Sequence, residues 1–273
     1  RMLLEGNLTV ASTITGTATI SSGLALANSG FIDMGAAART FTVNDATPDI
    51  DLLITADITN GGLTKEGLGT MEISGDNTYD GITSIEAGTL LVNGDNSLAN
   101  GALNILSTAT LGGIGTIGGA TTLSDGGFLS PGDGGVGDTL SFVNSLDLQN
   151  AADMSLLFDL SQPLTSDLVS MTGQELDIGN NNLDLDTFMF TDISGGSIGL
   201  GTYTLFDTGS LAVGNSLGLN VMTDSLFGYA SANLTLSGSN ILLNITAVPE
   251  PSSTALLGLG LSALLLRRKR SAA

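Results

Sequence analysis

The fold of this chain is decided by residues 62–93, which read Gly62-Leu-Thr-Lys-Glu-Gly-Leu-Gly-Thr70, Met71-Glu-Ile-Ser-Gly-Asp-Asn-Thr-Tyr79, Asp80-Gly-Ile-Thr-Ser-Ile-Glu-Ala-Gly-Thr89 and Leu90-Leu-Val-Asn93. Apolar residues alternate with Thr, Ser and Glu in short runs, as in strands that bury one face. Gly67 and Gly69 allow a tight entry into a strand that ends at Ile73, and Gly75 to Asn77 form a polar turn. The stretch therefore predicts short strands separated by sharp corners.

Similar strand-like runs recur along the chain, about 8 to 12 residues apart. They include residues 8–10, 18–20, 41–43, 52–54, 70–73, 89–92, 103–105, 121–123 and 140–142. This pattern fits either a β-sandwich or barrel built of hairpins, or a solenoid whose coils stack on one another. Abundant small residues, few aromatic residues and scarce Lys favour the solenoid.

The composition excludes several classes of function. The chain has 38 Gly but no Cys and no His, so disulfides, Cys/His metal sites and Ser-His or Cys-His catalysis are impossible. Residues 1–248 carry 26 acidic side chains against three basic ones, which are Arg1, Arg39 and Lys65. Such an acidic body excludes nucleic acid as a partner.

The stretch 62–93 resembles the passenger-associated repeat of autotransporters. The shared features are a Leu-x-Lys-x-Gly-x-Gly-Thr opening, a Ser-Gly-x-Asn-Thr-Tyr middle and an Ala-Gly-Thr-Leu close. The glycine-rich runs 110–119 and 126–132 are similar to the segment that follows such repeats. The resemblance implies a passenger built of stacked β-coils.

We therefore predict an all-β chain with three parts. Residues 1–150 form a right-handed parallel β-helix or related β-solenoid that contains the repeat. Residues 151–247 form a β-rich distal or capping segment. Residues 248–273 form a C-terminal tail with a short transmembrane helix.

The C-terminal tail resembles the PEP-CTERM signal of Gram-negative bacteria. It combines a Pro-Glu-Pro kink, a short apolar stretch over 255–266 and a terminal basic cluster. The kink comprises Val248, Pro249, Glu250 and Pro251, and the basic cluster comprises Arg267, Arg268, Lys269 and Arg270. The resemblance implies an exported protein that an exosortase-type membrane protease recognises and processes.

The same tail has a direct physical interpretation. Residues 252–266 carry no charge, yet as a helix at about 1.5 Å per residue they span only roughly 22 Å, short of a ~30 Å hydrocarbon core. The basic cluster favours a cytoplasmic C-terminus and binds anionic headgroups. We expect a precursor anchored in the inner membrane, with its body on the opposite side.

The N-terminal sequence shows no export leader. Residues 1–30 lack a basic region followed by an apolar run and a small-residue cleavage site. Because strand-like residues begin at once, we expect the sequence to be a piece of a longer chain, without its leader and earlier repeats.

Catalysis and metal binding have weak support in the sequence. Paired carboxylates acting on a glycan are the remaining catalytic option, and Asp76, Asp80 and Glu86 are better explained as solvated turn residues. The run 134–138 resembles a calcium-binding nonapeptide whose Asp comes one residue early. We predict no enzyme activity, no cofactor, and only weak, non-specific Ca²⁺ association through excess negative charge.

The expected role is structural. We interpret the chain as an exported, adhesin-like protein of the cell surface or extracellular matrix, with extracellular polysaccharide as a possible partner. The alternative is a carbohydrate-active enzyme or glycan-binding module on the same scaffold.

Overall fold

The computed structural model describes residues 1–11, 13, 15–22, 30–135, 137–152, 155–161, 164–193, 199–218, 221–223 and 230–247. Within these ranges the chain is built of β-strands, with one short 3-10 turn at Leu185–Thr187. In chain order the strands are β1 (Met2–Leu3), β2 (Leu8–Val10), β3 (Ala18–Ile20), β4 (Ile32–Asp33), β5 (Ala38–Val43), β6 (Leu52–Ile54), β7 (Ile58–Thr59), β8 (Gly62–Glu66), β9 (Thr70–Ile73), β10 (Thr83–Ile85), β11 (Gly88–Val92), β12 (Asp95–Asn96), β13 (Leu103–Ile105), β14 (Ala109–Gly113), β15 (Thr116–Ile117), β16 (Thr121–Leu123), β17 (Phe128–Pro131), β18 (Thr139–Phe142), β19 (Leu146–Asp147), β20 (Leu156–Ser161), β21 (Thr165–Ser166), β22 (Leu168–Asp177), β23 (Asn180–Leu183), β24 (Phe188–Asp192), β25 (Gly201–Leu211), β26 (Ser216–Leu217), β27 (Val221–Thr223), β28 (Ala230–Ser237) and β29 (Asn240–Ala247).

In the first three coils the chain passes through three sheets in turn, with one strand in each sheet. From β10 to β22 its strands belong to the second and third of these sheets. The first two coils are β1-β2-β3 and β4-β5-β6, and each strand pairs in parallel with its counterpart in the next coil. In the repeat, Leu63 pairs with Thr83 and Thr83 with Leu103, each 20 residues from the next. The predictions of an all-β chain and of parallel stacked sheets are confirmed, and these sheets are consistent with a β-solenoid. The hairpin alternative is wrong for the repeat, because β8 pairs with β10 and β9 with β11, both in parallel.

The core is formed by columns of inward side chains that stack along the coils. One column in the third sheet consists of Leu52, Met71, Leu90, Leu111, Leu129 and Leu156, all fully or almost fully buried. Burial of each such side chain contributes about 1.5–3 kcal/mol to folding. A slip of one residue would turn a strand's apolar set outward, so the alternation also sets the register.

Glycine is abundant because neighbouring coils approach closely at their corners. A Cβ atom at Gly81 would lie 2.5 Å from the carbonyl oxygen of Gly61, and Cβ atoms at Gly101 and Gly119 would come closer still to the coil before them. These four residues therefore form a column in which a side chain has no space. The high glycine content follows from this close backbone approach.

The segment after residue 150 first continues the sheets and then changes direction. β20 pairs in parallel with β17, and the long β22 pairs with both β18 and β19. Beyond β25, the order β25-β29-β28-β27 is antiparallel. Aromatic residues gather here: the rings of Phe158 and Phe206 lie 5.6 Å apart, and those of Phe188 and Phe190 stack at 5.4 Å. The division near residue 150 stays a prediction.

The predicted transmembrane helix over 255–266 lies outside the described residues. Among the residues that the structure describes, no helix is long and apolar enough to cross a bilayer.

Candidate functional site

The repeat places a lysine inside the core. Lys65 lies in an inward column between Phe41 and Ile85, and its side chain is fully buried. Its Nζ donates hydrogen bonds to the carbonyl oxygens of Glu66 at 3.1 Å, Gly67 at 2.8 Å and Ala87 at 3.0 Å. The ammonium group thus satisfies carbonyl groups at the corners of two successive coils.

Burial also changes the ionisation of this lysine. Removal from water lowers the pKa of Lys65 to about 8, and attraction to the Asp51 carboxylate partly opposes that effect. A lysine with a lowered pKa can act as a base. Its three hydrogen bonds to backbone carbonyls instead assign Lys65 to the structure of the corner.

Two further polar groups hold the corners of the repeat. The Asp51 carboxylate accepts hydrogen bonds from the backbone N–H groups of Ala46 at 2.9 Å and Thr70 at 2.8 Å. The buried Asn77 donates to the side-chain oxygen of Asn96 at 2.7 Å and accepts from the N–H of Ile58 at 2.7 Å. The bonds of Asp51 to Thr70 and of Asn77 to Ile58 and Asn96 join consecutive coils, so these polar positions are used for stacking.

An acidic groove lies along the outer surface of the third sheet. Its volume is about 500 Å³. Its carboxylates are Asp49, Glu72, Asp133 and Asp159, and it is also lined by Thr70, Thr89, Leu91, Asn93 and Ser130. The groove therefore presents hydroxyl, amide and carboxylate groups together, which is the chemistry that binds hydroxyl-rich or cationic molecules.

Several carboxyl groups at this groove have altered ionisation. Desolvation raises the pKa of Asp133 and of Asp159, and nearby Asp138 adds to the shift of both. Behind them, burial raises the pKa of Asp167 to about 7. Backbone N–H groups of Asp138 and Asp159 donate to the Asp167 carboxylate at 3.2 and 3.1 Å and partly offset that shift. A carboxyl group whose pKa is about 7, as for Asp167, can deliver a proton near neutral pH.

Asp138, the acidic residue of the calcium-like run 134–138, and Asp184, next to the 3-10 turn, both accept hydrogen bonds from nearby backbone N–H groups. The Asp138 carboxylate accepts from the N–H groups of Asp133 and Gly135, so it closes its own loop. Asp184 accepts from the N–H of Asp186 at the start of the 3-10 turn. In the described ranges, no group of three or more acidic side chains is placed to hold a metal ion. Non-specific Ca²⁺ association stays a prediction.

The carboxylates considered for catalysis from the sequence do not line the acidic groove. Asp76, Asp80 and Glu86 are all exposed. Asp80 instead lines a second cavity of about 800 Å³, together with Arg1, Asp33 and Asn60. In that cavity the hydrogen bond from Asn60, the N–H of Gly35 and the ion pair with Arg1 hold the pKa of Asp33 below its usual value.

Sequence reasoning missed the groove residues. Glu72 could have been found, because alternation in β9 places it outward between the buried Met71 and Ile73. Asp133 and Asp159 could not, because they are separated by 26 positions and come together only through coil stacking.

The sorting motif begins where the last strand ends. β29 lies between β25 and β28 and finishes at Ala247. The predicted motif residues Val248, Pro249, Glu250 and Pro251 lie outside the described residues, as does the basic cluster of Arg267, Arg268, Lys269 and Arg270. The chain therefore passes directly from a central strand of the folded body into the predicted sorting signal.

The described chain is all-β, with parallel sheets that are consistent with a β-solenoid. Residues 63–92 match the family model of the passenger-associated-transport-repeat, and residues 247–270 match that of the PEP-CTERM protein-sorting motif. Both resemblances are thus confirmed. The second match marks an exported protein whose membrane-anchored precursor is recognised by exosortase, a membrane protease. No curated protein matches the chain.

Proposed function

We propose that this protein is a structural, adhesin-like component of the cell surface or extracellular matrix, delivered there by exosortase processing. The observation that carries the proposal is the direct succession of a stacked β-body and a sorting motif at Ala247. The inward side chains of the body are occupied by packing, and the polar groups of the repeat join its coils. Such a body supplies rigidity and surface.

The proposed mechanism is passive. The outward positions Thr40, Thr64, Ser84, Asn104 and Thr122 pair with one another across successive coils of the second sheet. Paired strands lie about 4.8 Å apart, so these side chains form a regular polar row that can hydrogen-bond to polysaccharide. The net charge of −20 keeps the surface soluble and allows divalent cations to bridge it.

Delivery would depend on the tail. The Pro-Glu-Pro residues are the proposed contact for the protease, and residues 255–266 are the proposed transmembrane helix. The basic cluster at 267–270 would hold the C-terminus in the cytoplasm until processing. The right-handed winding of the coils also belongs to the proposal, and the strong right-handed preference of parallel β connections supports it.

One observation favours a second function, on a glycan. The acidic groove combines Asp133 and Asp159, whose pKa values are raised, with Glu72 on the same surface. A glycosidase needs one protonated and one ionised carboxyl group. We still propose a non-catalytic role, because none of the described residues that line this groove supplies an aromatic ring for sugar stacking. Release of reducing sugar from a polysaccharide panel, lost in Asp159→Asn, would reverse this choice.

The central experiment concerns processing. The chain, supplied with an export leader, is expressed in a host with an exosortase and in a matched host without one, and the product's intact mass and location are measured. We expect loss of the segment after about residue 249 only in the first host, and a surface or extracellular product. An unprocessed product in both hosts would contradict the proposal.

Two variants identify which residues of the tail are needed for processing by the protease and for sorting. Replacement of Glu250 by Ala should block processing if the protease contacts the motif directly. Replacement of Arg267, Arg268, Lys269 and Arg270 by Ser should leave the body folded but impair sorting. Normal maturation of either variant would remove that residue set from the mechanism.

A further inference from the structure

Exposed apolar side chains gather where the body passes into the sorting signal. Leu200, Leu164 and Ile193 are 56%, 45% and 36% exposed. We define these three residues as the exit rim. We propose that the exit rim contacts the membrane surface while the precursor is anchored, which rests on the membrane anchoring in the proposed function.

The pairing of β25 with β29 places Leu200 beside the chain exit. Gly201 pairs with Ile245 in an antiparallel ladder. The residue before Gly201 therefore lies alongside the residues after Ile245, which lead to Ala247 and the start of the motif. Leu200 is thus next to the last residues of the body.

The other two residues lie on adjoining segments at the same end. A Cβ atom at Gly201 would lie 2.7 Å from Cδ2 of Leu164, so the Leu164 side chain rests directly against the start of β25. The N–H of Ile193 donates to the carbonyl oxygen of Leu160 at 3.1 Å, and Leu160 pairs with Ser166 in β21. The exit rim is therefore a local cluster of neighbouring strand ends.

Leu164 is an unexpected residue for its position. Its backbone has φ = +56°, in the left-handed region where Gly and Asn are favoured. The Leu164 side chain packs on Gly201, yet 45% of the residue faces water and its backbone is strained. Strain of this kind concentrates at sites that have a function, which is consistent with a contact outside the body.

The length of the tail identifies the occupant. Eight Cα–Cα steps separate Ala247 from Ala255, the first residue of the apolar stretch, and at about 3.6 Å each they span at most about 29 Å. Whenever the apolar stretch is inserted, the exit end of the body therefore lies within about 29 Å of the point where that stretch enters the bilayer. Exposed leucines at that end are placed to enter the lipid interface, as apolar residues of peripheral proteins do.

The absence of tryptophan from the chain gives a direct test. Leu200→Trp introduces a single indole at the exit rim, and Leu68→Trp introduces one at a coil position that is 75% exposed and far from the exit along the chain. Both full-length variants are reconstituted into vesicles of phosphatidylcholine or of brominated phosphatidylcholine, whose bromine atoms quench indole on contact. Flotation reports membrane anchoring, and circular dichroism reports folding.

We expect Leu200→Trp to show blue-shifted emission and to lose most of its fluorescence in brominated vesicles, while Leu68→Trp is unquenched. Vesicle flotation without quenching of Leu200→Trp would overturn the contact and leave the anchoring intact. Failure to float would overturn both the anchoring and the contact. Blue-shifted emission of Leu200→Trp in the absence of lipid would overturn the membrane contact. The indole would then be covered by the chain's own apolar stretch or by a second copy of the protein.

A second variant tests Leu164 separately. Leu164→Asn keeps a residue that tolerates the left-handed backbone, so folding should be preserved. Combined with Leu200→Trp, it should reduce quenching in brominated vesicles without reducing thermal stability. Unchanged quenching would remove Leu164 from the exit rim.

Discussion

The repeat coils and the terminal strands of this protein both bury one face of each strand, but they differ in strand direction and in the side chains of the core. From β8 to β17, each strand pairs in parallel with its counterpart one coil away, and the core includes a stacked column of Met71, Leu90, Leu111 and Leu129. From β25 to β29, the strands are antiparallel, and the neighbouring core contains clustered phenylalanine rings. Glycine at the corners allows close coil stacking in the first region. In the second region, the described strands after β25 add no further parallel coil, and phenylalanine rings from β20, β24 and β25 fill the neighbouring core.

The largest expected effect comes from closing the space between coils. Gly101→Ala places a Cβ atom against the backbone of Gly81, where nothing can move without shifting a whole coil. We expect a loss of about 3 kcal/mol or more in unfolding free energy, or failure to fold. Urea denaturation measures it. Gly6→Ala is the control, because a Cβ atom there meets nothing within 4 Å; equal losses in both variants would refute the stacking explanation.

Replacing one large buried side chain in each region by alanine should show how tightly the core of the coils and the core beside the terminal strands are packed. Leu111→Ala removes one member of the aliphatic column, and Phe206→Ala removes a ring that packs against Phe158 and Phe188. We expect losses of about 2–5 kcal/mol for the first and about 3–5 kcal/mol for the second. Urea denaturation followed by tyrosine fluorescence and circular dichroism measures both. A negligible loss for either variant would show that its core is loosely packed.

Stability should depend on pH below neutrality through Asp167, which lies between the repeat coils and the terminal strands. Because burial raises the pKa of Asp167 to about 7, the folded protein holds a proton that the unfolded chain releases near pH 4. This group's contribution to stability is present at low pH and is lost as pH rises from about 4 to 7. We expect Asp167→Asn to remove about 2 kcal/mol of that pH dependence. The measurement is the midpoint of urea unfolding of both proteins from pH 4 to 7. If the midpoint depends on pH equally in the wild type and in Asp167→Asn, the prediction is wrong.

Alkaline pH should affect the coils in the opposite sense. The folded pKa of Lys65 is lowered to about 8, so the folded chain releases a proton that the unfolded chain keeps to about pH 10.5. Stability should therefore rise between these values, by about 1–2 kcal/mol once the loss of the charged hydrogen bonds is included.

Lys65→Met tests this effect. The variant should lose the alkaline rise, and it should be less stable at neutral pH because three carbonyl oxygens lose their donor. If the unfolding midpoint of the wild-type protein does not change from pH 8 to 10.5, the lowered pKa of Lys65 is contradicted.

Much of the repeat region could be predicted from local patterns. Alternation in Thr70–Ile73 and Thr83–Ile85 indicated strands, and the glycines between them indicated corners. Stacked coils repeat the same environment, so local residue choice and long-range pairing agree there. Burial of Lys65 was not predicted. The sequence of an alternating strand does not show that three backbone carbonyl oxygens lie within hydrogen-bonding distance of a buried lysine.

The acidic groove and the exit rim could not be predicted. Glu72, Asp133 and Asp159 meet only because β9, β17 and β20 occupy the same sheet. Leu164 and Leu200 are neighbours only because Leu164 rests on Gly201. In both cases the residues are distant in sequence, and no local pattern records their proximity.

The sequence by itself determined the strand and corner pattern, the acidic and thiol-free chemistry, and the sorting motif, because each depends on residue type and local spacing. Only the tertiary structure decided which coil each strand joins, where β29 lies between β25 and β28, and which carboxylates and leucines share a surface. The physical reason is that parallel pairing between coils links residues about 20 positions apart or more, and its register is set by packing of the whole column and not by any single strand.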